Sequence, residues 1–135
     1  MSERQHISSG TPWEKSVGYC RAIRVGKLVY VSGTTASDEN GNVMAVGDVY
    51  GQTAYILKKI ERALNEAGAS ISDVVRTRSF ITDISRWEEF GRAHGEVFAE
   101  IQPVSTLVQV SQLIDPKHLI EIEVDAVVAD SVGEG

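Results

Sequence analysis

The chain has 135 residues, of which 42% are hydrophobic and 24% charged, and this composition suits one folded domain with a buried core. Its formal net charge of −6 and its lack of any Lys/Arg run argue against nucleic acid as a partner. The single cysteine, Cys20, excludes an internal disulfide and suits a reducing cytoplasm, and no apolar run approaches the roughly 20 residues of a membrane span.

The first third of the chain predicts a polar arm followed by a β-hairpin. Residues 1–16 are mostly polar and are expected to form a leading arm. Apolar runs at Ala22–Val25 and Leu28–Ser32 flank the pair Gly26-Lys27, which is typical of a tight hairpin turn. A loop rich in Asp, Asn and Gly follows the second of these strands.

The longest helix is predicted between a capping aspartate and a glycine. The side chain of Asp48 can accept a hydrogen bond from the first turn, and Gly68 can end the helix in a left-handed conformation. The apolar residues between them recur at helical spacing and are expected to face the core: Leu57, Ile60, Leu64 and Ala67.

The second half of the chain predicts strands separated by another helix. Ser85 and Glu88 have the spacing of a capping box, which predicts a helix from this point to about Glu100, before Pro103. Runs of β-branched and apolar residues predict the remaining strands, at Val74–Thr82, Val104–Val110 and Leu119–Val128.

This order of elements predicts a two-layer α+β fold, with residues 1–135 as a single domain and 130–135 as a flexible tail. Both long helices can lie on one face of a mixed sheet. The other face would then be uncovered, although the strand at 104–110 carries apolar residues on both sides. Such a face usually meets a partner, and a symmetric homo-oligomer is the most frequent arrangement.

The last strand carries a row of carboxylates. Glu121, Glu123 and Asp125 alternate with apolar residues, so their side chains are expected on the same face of the sheet. One interpretation is a solvated face on which like charges prevent edge pairing, since charged residues are usually exposed. The other interpretation is that one of these carboxylates works in a cleft.

Several motifs of catalysis and metal binding are absent. The sequence has no Walker loop, no G-x-G-x-x-G turn, no H-E-x-x-H helix and no G-x-S-x-G elbow. His6, His94 and His118 are far apart and lack the spacing of metal ligands. Acid–base chemistry by carboxylates or simple binding remains, and neither a metal nor another cofactor is expected.

Four blocks of the sequence resemble the YjgF/Rid family of RidA-like reactive-intermediate deaminases. They are the segment from Val17 to Ala22, the strand GKLVYVSG at 26–33, the helix and strand at 52–83, and the last two strands at 103–110 and 119–128. The resemblance implies a chorismate-mutase-like α+β fold in a trimeric barrel. The homotrimer would hold a small metabolite in clefts between its subunits and hydrolyse a 2-imino acid without a cofactor.

The resemblance also implies roles for individual residues. Glu123 matches a glutamate that orients or activates water, and is the expected catalytic residue. Tyr19 and Gly33 match residues that bind substrate in the family cleft. Ser105 and Thr106 are expected to add hydrogen bonds to the substrate.

The position of Ser105 is where the family carries an arginine that binds the substrate carboxylate. A serine lacks that bidentate, charged contact, which argues against the standard 2-iminopropanoate deaminase activity. The resemblance therefore implies a branch without this arginine that acts on other small imines or enamines. Arg21, Arg24, Arg76 and Arg78 are candidates for a replacement cation, and Arg21 is the first of them because it lies two residues from Tyr19. The favoured alternative is that all four are surface arginines that pair with carboxylates, since most arginines are solvated.

Two functions remain open from the sequence. The first is hydrolysis of an imine or enamine to a carbonyl compound and ammonia. The alternative is a trimer that binds a small metabolite without chemistry. An endoribonuclease or translation inhibitor, another label of this family, is disfavoured by the acidic composition and by the lack of a basic, aromatic surface motif.

Overall fold

Six strands and three helices are found in the computed structural model, which describes residues 3–129. The strands are β1 (Arg4–Ile7), β2 (Ala22–Val25), β3 (Leu28–Thr34), β4 (Val74–Ile81), β5 (Val104–Gln109) and β6 (Ile120–Val127). The helices are α1 (Pro12–Val17), α2 (Val49–Glu66) and α3 (Trp87–Phe98). Single 3-10 turns at Ile71–Asp73 and Ile84–Arg86 precede β4 and α3.

The strands form one mixed sheet in the order β1-β2-β3-β6-β4-β5. Neighbouring strands are antiparallel except β4 and β5, which are parallel. Parallel neighbours need a long crossover, and α3 provides it between them. The predicted α+β class with a mixed sheet is therefore confirmed.

The core lies between α2 and the middle of the sheet. Ile56, Ile60 and Leu64 of α2 are completely buried, and the helix packs on β3, β6 and α3. The even-numbered residues of β6 meet this helix face: Ile120, Ile122, Val124 and Ala126. The predicted helical stripe and the predicted alternation of the last strand are both confirmed, because each buries its apolar set.

The predicted ends of α2 agree with the structure. The carboxylate of Asp48 accepts a hydrogen bond of 2.9 Å from the Gly51 amide, as an N-cap residue does. Gly68 follows the helix with a φ of 81°, and the Ala69 amide donates back to the Leu64 carbonyl at 2.8 Å.

The N-terminal segment differs from the predicted arm. Residues Arg4–Ile7 extend the sheet by pairing with β2, and Ile7 joins the core. Glu14 on α1 is buried because its carboxylate accepts hydrogen bonds from Ser8 and Ser9, which closes the segment onto itself. This contact between polar side chains has no periodic signal in the sequence. The predicted tail at 130–135 lies outside the described residues.

The predicted capping box of Ser85 and Glu88 is wrong. The Asp83 carboxylate accepts from both the amide and the hydroxyl of Ser85, so the serine serves a 3-10 turn instead. Helix α3 consequently starts at Trp87. A capping box does exist at Ser70 and Asp73, on the 3-10 turn before β4, where the sequence pattern was not interpreted as one.

A buried glutamine fixes the loop before β6, and its loss is expected to be costly. The Gln52 side chain is fully buried, donates to the Lys117 carbonyl at 2.9 Å and accepts from the Leu119 amide at 2.8 Å. Gln52→Leu leaves both backbone groups unpaired, so the free energy of unfolding should fall by about 2–4 kcal/mol. Chemical denaturation measures this change. The control Gln5→Leu alters an exposed glutamine and should change it by about 0.5 kcal/mol or less; equal effects would contradict the assignment.

No helix within residues 3–129 has the length and apolar character needed to cross a membrane.

Candidate functional site

The sheet face opposite α2 and α3 carries the three carboxylates of β6, and we call it the open face. Residues on it alternate with the buried set of each strand, and the registers of β4, β5 and β6 align them in rows. Its central side chains are Tyr30, Arg76, Arg78, Phe80, Thr106, Glu121, Glu123 and Asp125. Large apolar side chains remain exposed beside them, including Val104 at 59% and Val108 at 43% exposure. An exposed face of mixed character is typical of an interface.

Two of the three carboxylates of β6 are neutralised by β4. Glu123 Oε1 accepts from Arg78 Nε at 2.7 Å, and Asp125 Oδ2 lies 3.1 Å from Arg78 Nη1. Arg76 approaches Asp125 at 3.8 Å. These contacts follow from the register, which sets Arg78 directly opposite Glu123. Arg76 and Arg78 therefore act as partners of carboxylates, the surface role that the sequence left open for them.

A cavity of about 260 Å³ opens on the same face. Its wall includes the ion-paired Arg78 and Glu123, together with Tyr30, Ser32 and Cys20. The Ser32 hydroxyl is held by the Cys20 carbonyl at 2.7 Å. Glu123, the sequence-predicted catalytic residue, thus lines a cavity while its carboxylate is bound to a guanidinium.

Glu121 lies in a different environment from Glu123. Its carboxylate is half-buried, and no hydrogen bond or ion pair to it is present within residues 3–129. Burial raises the pKa of Glu121 above the usual value, the positive charge of Arg21 opposes this rise, and the negative charge of Glu123 adds to it. A carboxyl with a raised pKa and no partner among residues 3–129 is a candidate for proton transfer.

A glycine on β3 lets this carboxylate approach the backbone closely. The pairing of β3 with β6 shifts register between Val31 and Thr34, which forms a bulge containing Gly33. A Cβ on Gly33 would lie 2.5 Å from Glu121 Oε2, far inside contact distance. The bulge therefore allows the carboxylate to lie directly against the backbone.

Arg21 links this glycine to the segment before β2. Its Nη2 donates to the Gly33 carbonyl at 2.6 Å, and its Cζ lies 5.9 Å from the centre of the Tyr19 ring. The Nε atom of Arg21 is buried and has no partner among residues 3–129. Tyr19, Arg21, Gly33 and Glu121 together form what we call the Arg21 cluster.

Lys59 is a second cation near the Arg21 cluster. Its Nζ donates to the carbonyls of Thr35 and Ser37 at 2.7 and 2.8 Å, which ties the loop after β3 to α2. Burial first, and then the charge of Arg21, lower the pKa of Lys59 to about 8. The helical periodicity of apolar residues in α2 gives no signal for the burial of this lysine.

Ser105 and Thr106 lie on opposite faces of β5. Ser105 pairs with the buried Thr77 on the helix side and accepts its hydrogen bond at 2.8 Å. Thr106 pairs with Arg78 on the open face. Consequently Ser105 and Glu121 cannot line one pocket within a single chain, because the sheet separates them.

The structure brings together only part of the predicted site. Tyr19, Arg21 and Gly33 meet, and the carboxylate beside them is Glu121. Glu123 and Thr106 share the open face with the ion-paired Arg78. The alternation of β6 could not separate Glu121 from Glu123, because both have the same parity; the bulge at Gly33 decides between them. Among residues 3–129, no three His, Cys, Asp or Glu side chains are grouped as metal ligands would be.

The chain matches known proteins over nearly its whole length. The family model described as Endoribonuclease L-PSP matches residues 12–128. A protein named 3-aminoacrylate deaminase RutC from Acinetobacter baylyi is 36% identical over 116 residues, which are 86% of this chain and 90% of that protein. An uncharacterised Streptomyces coelicolor protein is 38% identical over 122 residues, or 90% of each chain.

Solved structures with the same fold carry related names. A Mycobacterium tuberculosis member of the highly conserved YjgF/YER057c/UK114 family is 48% identical, with a TM-score of 0.85 over 93% of this chain and 100% of its own. A Yersinia pestis protein of the conserved Rid family, of unknown function, is 28% identical, with a TM-score of 0.80 over 93% of this chain and 100% of its own.

Proposed function

The chain belongs to the endoribonuclease L-PSP family, which is the family of the YjgF and Rid proteins, and on this premise we propose that it is a cytoplasmic, cofactor-independent deaminase. It hydrolyses small imines or enamines to a carbonyl compound and ammonia. The acting form is a homotrimer whose clefts hold the substrate between subunits. The name of the Acinetobacter relative, a 3-aminoacrylate deaminase, supports an enamine or imine as substrate.

The observation that carries this proposal is the free, half-buried carboxylate of Glu121. As a carboxylate it accepts a proton from water while the oxygen of that water bonds to the carbon of the C=N group. The substrate nitrogen enters this step protonated, as an iminium. Glu121 then gives its proton to the carbinolamine nitrogen and takes the hydroxyl proton as the C–N bond breaks, which releases ammonia and leaves C=O. An enamine first takes a proton on carbon to become the same iminium. Each step balances with water as the co-reactant.

The Arg21 cluster supports this chemistry. The Arg21 charge opposes the rise in the pKa of Glu121 and so favours the carboxylate form. The hydrogen bond from Arg21 to Gly33 holds the bulge against which Glu121 lies. Tyr19 is exposed at 40%, and its ring centre lies 5.9 Å from the guanidinium carbon of Arg21, so its hydroxyl is available to a ligand beside that cation. In this proposal Arg21 orients the site, and its buried Nε–H is the remaining donor.

Ser105 and Glu121 lie on opposite faces of the sheet, and this separation supports an oligomer whose site is formed between subunits. Ser105 lies on the helix side at the edge strand β5, whereas Glu121 faces the open side three strands into the sheet from that edge. A symmetric oligomer can place the β5 edge of one subunit against the open face of the next. Exposed Val104 and Val108 on that strand supply apolar area for the contact.

Ammonia release from freshly generated imines and enamines tests the activity. We expect turnover of at least one member of a panel that contains 3-aminoacrylate, 2-iminopropanoate and uncharged imines, above the rate in buffer. Light scattering on the eluted protein should give three times the chain mass of 14.7 kDa. Absence of turnover across the panel, with ligand-dependent melting shifts retained, would leave a metabolite-binding trimer in place of the enzyme.

A further inference from the structure

A hydrogen-bonded chain runs from α3 through β4 to the edge strand β5. Thr77 Oγ1 lies 2.9 Å from His94 Nε2 and donates to Ser105 Oγ at 2.8 Å. Thr77 is fully buried, and the parallel register of β4 and β5 sets Ser105 directly beside it. Ser105 itself is exposed at the end of this chain.

The number of hydrogens fixes the direction of the chain. Thr77 has one hydroxyl hydrogen and gives it to Ser105, so the contact with His94 requires the Nε2–H of His94 to donate to Thr77. The imidazole is held for this by Phe90 and Phe98, whose ring centres lie 5.1 and 4.7 Å away, one turn before and after it on α3. Ser105 accepts from Thr77 and keeps its own hydrogen, for which no acceptor is present within residues 3–129.

The three side chains of this hydrogen-bonded chain, His94, Thr77 and Ser105, are uncharged at neutral pH. Burial alone lowers the pKa of His94, with no contribution from a charged neighbour within the described part of the chain, so the ring is neutral at neutral pH. Arg76 and Arg78 of the adjacent strand lie on the opposite face and pair with Glu123 and Asp125. From residues 3–129 of its own subunit, a substrate carboxylate at Ser105 would gain one neutral hydrogen bond and no charged partner, which offsets less of its lost hydration than the contact with a guanidinium would.

We propose that His94 and Thr77 are positioning residues that present the hydroxyl hydrogen of Ser105 to an uncharged acceptor on the substrate. The site at β5 therefore selects imines or enamines that carry a carboxamide, carbonyl or hydroxyl group at this end in place of a carboxylate. This inference rests on the proposed function for the reaction itself, while the direction of the hydrogen-bonded chain is independent of it.

The direction is tested by ¹⁵N NMR of the histidine side chains in the full-length protein, with His94→Gln used for assignment. At neutral pH the proton of His94 should be on Nε2, with Nδ1 unprotonated. In Thr77→Val the Nε2–H signal should shift and exchange faster, because its acceptor is gone. A proton on Nδ1 in the wild type would overturn the inference.

The selectivity is tested with matched ligand pairs. We expect 2-oxopropanamide to bind at least tenfold tighter than 2-oxopropanoate by NMR titration, and the corresponding imines to differ in KM in the same order. Ser105→Ala and Thr77→Val should each weaken amide binding about tenfold with little change in kcat, as the loss of one oriented hydrogen bond predicts. Thr77→Ser keeps the hydroxyl and should restore binding to within about threefold of the wild type.

The outcomes distinguish this inference from the proposed function. Equal or tighter binding of 2-oxopropanoate, or unchanged amide binding in Ser105→Ala, overturns the inference even if imines are hydrolysed. Amide binding that depends on Ser105 and Thr77, without ammonia release from any imine, supports the inference and removes the enzymatic proposal. Ser105→Ala changes an exposed strand residue and should fold, so the selectivity test does not depend on the buried Thr77→Val variant.

Discussion

Replacing Glu121 by glutamine is expected to lower kcat/KM for imine hydrolysis about 100-fold or more, because the amide cannot accept a proton from water. Glutamine has nearly the same shape, so its contact with Gly33 and the position of β6 should persist. The measurement is initial-rate ammonia release on the panel member that the wild type hydrolyses fastest. Melting temperatures within a few degrees of the wild type would show that the loss is chemical.

Glu123→Gln is the matched control for this variant. Glu123 has the same parity on the same strand, two residues away, but its carboxylate is bound to Arg78 at 2.7 Å. We expect a loss of less than about tenfold, the cost of disturbing a partly exposed ion pair. If Glu123→Gln were the inactive variant and Glu121→Gln the active one, the acid–base role would return to Glu123, as the sequence analysis predicted.

Arg21→Gln is expected to move the acidic limb of the pH–rate profile to higher pH. Burial raises the pKa of Glu121 and the Arg21 charge opposes that rise, so removing the charge lets the pKa increase further. At a pH below the new pKa less of the enzyme holds the carboxylate form. Activity there should fall about tenfold for each unit by which the limb moves. Profiles of kcat/KM between about pH 4 and 9 give the shift.

Two further variants test the direction in which the acidic limb of the pH–rate profile moves. Glu123→Gln removes a negative charge that raises the pKa of Glu121, so its acidic limb should move to lower pH, opposite to Arg21→Gln. Arg21→Lys keeps the charge and should hold the limb near its original position, although it loses the fork that reaches Gly33. Shifts of the same direction in Arg21→Gln and Glu123→Gln would show that another group titrates in the profile.

Local signals in the sequence accounted for most of the fold. The apolar stripe of α2, the capping aspartate Asp48 and the terminating Gly68 act within one or two helical turns, and all are found as predicted. The alternation of β6 likewise needs only neighbouring residues. The N-terminal strand and the start of α3 were missed or misplaced, because polar contacts of Glu14 and Asp83 decide them.

The sequence by itself determined that three carboxylates would share one face of the last strand, since that follows from a period of two. Only the tertiary structure decided which of these carboxylates is ion-paired and which is half-buried. Arg78 comes from β4 and the bulge of Gly33 from β3, so strands distant in sequence pair Glu123 with a guanidinium and leave Glu121 half-buried, with no hydrogen-bond or ion-pair partner among residues 3–129. The proton affinity of a carboxylate depends on the charges and solvent around it, and those neighbours are supplied by the packing of the sheet.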